Sequence, residues 1–409
     1  MRIVYVDYKL NLRTGGGSNR TVHYLASALT AAGHEVSVIT LAPRLNALPA
    51  ELPYRVIEAP VARAAHFPGR LAIASVFRRE ESRADIFQIE APSLILPAAL
   101  YRRLGGRVPV VAQLHIYGHF CSNINRIDAE CWRHCALLDQ IRHRDERLAR
   151  KIALAPVRAA EHAAKRLLAN RVDRFVAVSS AMAQIHAQNG LDPRKIVTIS
   201  PPADLDALLR RGERPGAAPT PAGLFRLLYV GRLFPAKGVD VLLEAVARLP
   251  FPFALDIIGD GDGRAALERL AGDLGLADRV RFHGWVAHDD IVERYLGAHL
   301  FVHPGRWPDP APRTIIEAMA LGVPLVVTDT GGAPAMAAGA ALTARPGDPD
   351  DLRAKIARLH DTPDLAAELA ATGRRRARQF DTQQALRQFM DLYRELCPRA
   401  RVTSAGATA

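Results

Sequence analysis

Short apolar runs alternate with helical patterns from one end of this chain to the other, and that alternation limits the fold more than any other feature. Arg2–Val6 reads as a strand, Arg20–Ala32 as a helix and Glu35–Thr40 as a strand. Ile86–Glu90, Val108–Leu114, Phe175–Ser179 and Lys195–Ser200 follow as further strands. Runs that are apolar throughout, not only at every second position, suit strands covered on both faces, as in a parallel sheet wrapped by helices.

The alternation breaks once, over 210–221, where Arg, Pro and Gly crowd together and read as an interdomain linker. It then restarts with strands at Phe225–Val230, Ala254–Ile258, Val280–His283, Leu300–His303 and Leu325–Thr328. Helices at Val239–Leu249, Arg264–Leu274, Ile291–Leu296 and Thr314–Leu321 lie between them, with Asp350–His360 and Thr382–Leu396 beyond. At roughly 150 residues per domain, 409 residues suit two such units or three. The expectation is α/β: two Rossmann-like, doubly wound parallel-sheet domains facing a central cleft. The first covers 1–205, a linker 206–223 and the second domain 224–378. A helix over 379–398 packs back toward the first domain, and 399–409 forms a frayed tail.

Composition narrows the class. With 49% hydrophobic and 23% charged residues, each domain can bury an ordinary core. No apolar run approaches the roughly 18 residues of a membrane span. Met1 leads straight into strand-like sequence without a signal peptide, and four cysteines make no disulfide framework. A cytoplasmic protein is expected, peripheral at the inner face of the membrane if it docks there at all. The net charge of +12 and pI of 9.9 suit nucleic acid, an anionic membrane or a phosphorylated substrate. Only 6% of residues are aromatic and no recognition module is present, so nucleic acid is set aside. Basic residues concentrate between Arg142 and Arg174, interleaved with Leu154, Val157, Ala160, Ala164, Leu167 and Leu168. This amphipathic pattern is either a solvated helix face or a surface for anionic lipid head groups.

Four loops carry chemistry. Gly15, Gly16 and Gly17 precede the first helix, where Gly16 and Gly17 let a ligand approach the backbone and the helix amino end. The spacing is not the G-x-G-x-x-G of a dinucleotide site. Arg232 and Lys237, five positions apart after a strand, suit the two phosphates of a diphosphate. Gly259, Gly261 and Gly263 alternate with Asp260 and Asp262, which would repel a pyrophosphate, so this loop reads as a tight turn near the nucleoside. In the segment His303–Ala320 a strand ends, a Pro-rich loop bears Asp309, and a helix beginning near Thr314 bears Glu317. The Thr314 end can hold phosphate through its amides and dipole, and Glu317 can accept hydrogen bonds from vicinal hydroxyls.

On these residues the chain resembles a GT-B glycosyltransferase of the retaining family 4. In that family a loop Glu is followed, after seven intervening residues, by a helix Glu; here the pair is Asp309 and Glu317. Gly16-Gly17 with Gly33-His34-Glu35-Val36, then Leu114-His115-Ile116-Tyr117, match the amino-terminal patterns. Val230-Gly231-Arg232 with Lys237-Gly238, Gly322-Val323-Pro324 and Gly331-Gly332 match the later ones. The resemblance implies a nucleotide diphosphate-sugar donor, UDP- or GDP-linked, with no obligatory metal or other cofactor. It implies that Arg232 and Lys237 neutralise the diphosphate, Glu317 holds the ribose and Asp309 a hydroxyl of the donor sugar. His115 reaches the donor sugar from the opposite domain. The acceptor is then a glycan or lipid-linked molecule.

The chain departs from the pattern at three places. Asp309 is one methylene short, Ala311-Pro312 replaces a Phe-Gly pair, and Ile116 stands where a polar residue is common. A nucleotide-sugar-binding protein without turnover, or a phosphorylase or epimerase on the same architecture, are the alternatives. Cys121, Cys131 and Cys135, with His119 and His134, could chemically hold zinc but lack paired C-x-x-C knuckles, and a structural or acceptor-lining role is preferred.

Overall fold

A computed structural model describes residues 1–13, 17–61, 67–120, 148–203, 205–212, 223–286 and 288–398. The described residues divide into two compact units, one holding 1–202 and 382–398, the other 203–381.

The first unit contains β1 (Arg2–Asp7), β2 (Glu35–Thr40), β3 (Arg55–Glu58), β4 (Ile86–Ile89), β5 (Val110–Leu114), β6 (Arg174–Ala177) and β7 (Ile196–Thr198). They form one sheet in the order β3-β2-β1-β4-β5-β6-β7. Every pairing in it is parallel. β4 and β5 are buried at every position, as their continuous apolar sequences require. β3 was not among the expected strands: it is an edge strand whose residues are exposed or only partly buried, so its apolar signal is weak. The helix Thr382–Leu396 belongs to this unit and buries Leu386, Phe389, Met390 and Tyr393 in a core shared with Ile3, Tyr5, Ile86 and Val111.

The second unit contains β8 (Phe225–Val230), β9 (Phe253–Ile258), β10 (Val280–Gly284), β11 (Leu300–His303), β12 (Leu325–Thr328) and β13 (Ala341–Ala344). Their order is β10-β9-β8-β11-β12-β13, again parallel throughout. The stretch expected to be linker from residue 206 begins as the helix Asp206–Gly212. Leu205 and Leu208 are buried there against Phe301, Ile315 and Ile316, which makes this segment part of the second unit's core. Residues 213–222 lie outside the described residues.

Both units are therefore doubly wound α/β sheets. In such sheets the order of connection reverses at one place, and the loops on either side of it part to leave a crevice beyond the carboxyl ends of the strands. The reversal falls between β1 and β4 in the first unit and between β8 and β11 in the second.

Candidate active site

In the second unit the two loops flanking the reversal are bound backbone to backbone. Lys237 closes a short helical turn, Pro235–Lys237, and Gly238 follows with φ +68°. A Cβ at Gly238 would lie 2.0 Å from the carbonyl oxygen of Pro304, in the loop after β11. Only glycine allows both that conformation and that approach. From the β11 loop, the amides of Arg306 and Trp307 donate to the carbonyl of Ala236 at 3.0 and 3.3 Å. Arg306 also pairs with Asp240.

This docking brings Lys237 onto Asp309, and the two form an ion pair with side chains only 20% and 15% exposed. Burial acts to raise the carboxyl's pKa, but Lys237, His303 and Arg232 together hold it below the usual carboxylate range. Asp309 is thus ionised at neutral pH. Its backbone is held by the next turn: the amide of Gly332 donates to its carbonyl at 2.7 Å, and a Cβ on Gly331 would meet that oxygen at 2.4 Å. His303 is buried behind it, and burial lowers its imidazole to about 4, so it remains neutral. The guanidinium of Arg232 lies 4.6 Å from the centre of the Phe234 ring, a contact that steadies the cation.

The helix expected near Thr314 spans Arg313–Ala320, with Pro312 as its extended cap residue. Thr314 and Glu317 are each partly buried on it. The Tyr295 hydroxyl donates to Glu317 Oε2 and to the Thr314 carbonyl, both at 3.3 Å. The glycines at 259 and 261 are required by close packing between loops. A Cβ at Gly259 would stand 1.9 Å from the Gly231 carbonyl oxygen, and one at Gly261 2.7 Å from that of Leu233. They let the β9 loop press against the Arg232 loop and fix its path.

In the first unit, His115 follows β5 and its Nε2 lies 2.7 Å from Glu90 Oε2. Gly17 is the first residue of the helix Gly17–Ala31. Gly16 lies outside the described residues, as do Cys121, Cys131, Cys135 and His134. Sequence reasoning overlooked Glu90, Asp7, His303 and Tyr295. For Glu90 a signal existed: a carboxylate closing an apolar strand at the carboxyl edge of a parallel sheet. The structure pairs Lys237 with Asp309 at the β8/β11 reversal, near enough to Arg232 for its charge to act on the carboxylate, with Glu317 on the helix that follows Asp309.

Two family models match the chain. Residues 15–207 match Glycosyltransferase Family 4, and residues 214–376 match Glycosyl transferases group 1. This chain belongs to the family 4 glycosyltransferases. Its fold agrees. HepE of Anabaena, solved in complex with UDP, superposes with a TM-score of 0.71 over 97% of this chain and 100% of its own, at 20% identity. Sucrose-phosphate synthase from Thermosynechococcus elongatus gives 0.75 over 96% and 98%, at 21% identity. Among curated relatives, D-inositol 3-phosphate glycosyltransferase 2 of Catenulispora acidiphila is 33% identical over 269 residues, 58% of this chain and 60% of that protein. The lipopolysaccharide core biosynthesis glycosyltransferase LpsE of Rhizobium meliloti is 40% identical over 113 residues, 28% of this chain and 32% of its own length. The chain thus spans 60% or less of the length of these curated relatives.

Proposed function

We propose that this family 4 chain is an enzyme that moves a sugar from a UDP- or GDP-linked donor to a glycan or lipid-linked acceptor, with retention of configuration. One observation carries the reading: Lys237 and Arg232 converge on an ionised Asp309 at the sheet reversal, next to the helix Arg313–Ala320. Two cations beside a helix amino end suit a diphosphate. A carboxylate held ionised among them can accept hydrogen bonds from sugar hydroxyls. Glu317 would receive the ribose hydroxyls and His115 would contact the donor sugar. The bond from the anomeric carbon to the leaving phosphate breaks while the acceptor oxygen bonds on the same face, and the acceptor's proton passes to the departing diphosphate. Catalysis is then mostly positioning and charge stabilisation, without a cofactor. That HepE was solved with UDP and with UDP-glucose supports a uridine donor as the first to try.

A second reading, a donor-binding protein without turnover, draws on Pro312, which leaves the cap of the Glu317 helix without an amide. Thermal-shift screening of UDP and GDP, followed by mass spectrometry of glycan acceptors with the matching sugar donors, separates the two. Binding with transfer supports the enzyme; binding without it supports the alternative.

The acceptor side adds a partner. The helix Leu148–Leu168 leaves Ile152, Val157 and Leu167 exposed at 65%, 58% and 78%, with Arg150 and Arg166 exposed on the same helix. Apolar side chains among cations suit peripheral contact with an anionic membrane. Among the described residues no helix is long and apolar enough to cross one. Flotation with phosphatidylglycerol vesicles but not with neutral ones is the expected result.

A further inference from the structure

One face of the first unit's sheet carries a row of buried polar side chains that packing alone does not require. The register sets Tyr5 beside Gln88 and Gln88 beside Val111. Side chains two apart share a face. Tyr5 and Asp7 on β1, Gln88 and Glu90 at β4, and Gln113 and His115 at β5 therefore line up across three neighbouring strands. All but His115 are buried, and the row lies at the β1/β4 reversal. A polar group out of water is costly unless it is hydrogen-bonded.

The bonds in this row run toward His115. From the helix Thr382–Leu396, the Tyr393 hydroxyl donates to Gln88 Oε1 at 3.2 Å. Gln88 Nε2 donates to Glu90 Oε1 at 3.1 Å and to Gln113 Oε1 at 3.4 Å. Glu90 Oε2 meets His115 Nε2 at 2.7 Å. The Glu90 side chain is 1% exposed and that of His115 11%.

We propose that Glu90 is the positioning residue of His115: it accepts the Nε2 proton, fixes the plane of the ring and leaves Nδ1 as the nitrogen offered to the sugar. An ionised carboxylate can only accept, so a neutral imidazole facing it must carry its proton on Nε2. The groups around the pair agree with this. Asp7 approaches from β1, and burial and then the Glu90 charge push its carboxyl up to about 7, against the Tyr8 amide, His115 and Lys9, which act to lower it. Gln113 from β5 and Tyr393 from the carboxy-terminal helix are neutral. The inference rests on the reading of His115 as a contact to the donor sugar in glycosyl transfer.

The test has two arms on the full chain. In the first, nitrogen-15 NMR of histidine-labelled protein, with the His115 signal identified through His115→Gln, should show the Nε2–H tautomer; an Nδ1–H tautomer overturns the proposal. This arm needs neither substrate nor a Glu90 variant. In the second, Glu90→Gln should lower kcat about tenfold or more, with the donor KM changed by less than about twofold. Because Glu90 acts through His115, the same change in a His115→Gln background should cost nothing further. An equal loss in both backgrounds overturns the proposal. Absence of any sugar transfer by the wild-type chain counts against the glycosyl-transfer reading instead, and the tautomer still decides whether Glu90 orients the ring.

Discussion

Lys237 and Asp309 stand 72 residues apart in sequence and touch through an ion pair between the loops that follow β8 and β11. On the proposed function, a diphosphate would meet a lysine already partnered by a carboxylate, and its binding would exchange one anion for another and free Asp309 to accept hydrogen bonds from the sugar.

Lys237→Ala removes the cation proposed for the diphosphate and also takes from Asp309 its ion-pair partner. Leaving a largely buried charge without its partner costs about 2–4 kcal/mol. The expected results are a lower Tm, loss of the thermal shift on adding UDP or GDP, and loss of turnover. Wild-type turnover in this variant would remove the phosphate role of Lys237.

Asp309→Glu keeps the charge and adds reach, so activity should persist, whereas Asp309→Ala should abolish it. Glu317→Ala should weaken nucleotide binding as well as turnover, since it removes the partner proposed for the ribose hydroxyls. Isothermal calorimetry with the nucleotide alone separates the two residues: binding should fall with Glu317→Ala and change far less with Asp309→Glu.

Gly238 and Gly275 share nearly the same backbone, with φ of +68° and +67°. A Cβ at Gly238 would meet the Pro304 oxygen at 2.0 Å, while at Gly275 nothing lies within 4 Å. Gly275→Ala should therefore cost only the left-handed backbone, about 1–2 kcal/mol. Gly238→Ala should cost clearly more, because the β8 and β11 loops must separate, and it should weaken nucleotide binding too. Urea denaturation of both variants makes the comparison, and equal losses would show that the loops are not locked there.

Acid should destabilise the second unit in two stages. His303 is lowered from 6.5 to about 4 by burial, so between those values the unfolded chain binds the proton that the fold refuses. Stability is complete above 6.5 and falls as the pH drops toward 4, by up to about 3 kcal/mol. Asp309, depressed below 3.8, contributes stability above that value and loses it at still lower pH. His303→Gln should flatten the slope between pH 6.5 and 4 in urea titrations, and an unchanged slope would assign the loss to other groups.

Asp7 has the opposite sign. Its carboxyl is raised from 3.8 to about 7, chiefly by burial, so the folded form holds a proton that the unfolded chain releases. Its contribution is greatest below pH 4 and is lost as the pH rises through 7. Asp7→Asn keeps an acceptor for the Tyr8 amide, which now donates to Oδ1 at 2.7 Å. This variant should gain in Tm relative to wild type as the pH rises from 4 to 7. Thermal melts at pH 5 and pH 8 check it.

The two sheets were legible because most of their strands announce themselves over a few residues, by apolar runs such as Val110–Leu114, although the edge strand Ala341–Ala344 was also missed. The edge strand Arg55–Glu58 escaped because it buries too little to leave a pattern. The helix Asp206–Gly212 escaped because its neighbours are charged and Gly-rich, although Leu205 and Leu208 reach the core. Asp309, Lys237 and Arg232 stood out as charges in Gly- and Pro-rich loops after strands. Glu90 did not, because a single acid at the end of IFQIE means little until His115 is seen 2.7 Å away.

The sequence by itself determined where strands, helices and breaks fall, since hydrophobic periodicity and the backbone preferences of glycine and proline act between near neighbours. It also supplied the order of loops along the chain. Only the tertiary structure decided which loops meet. The pairing of β8 with β11, and of β1 with β4, brings distant residues together, and the burial that follows turns Asp309 into a guarded carboxylate, His303 into a neutral ring and Glu90 into the partner of His115. Charge and proton position depend on what surrounds a group in space, and neighbours in space are set by strand order, which no local pattern records.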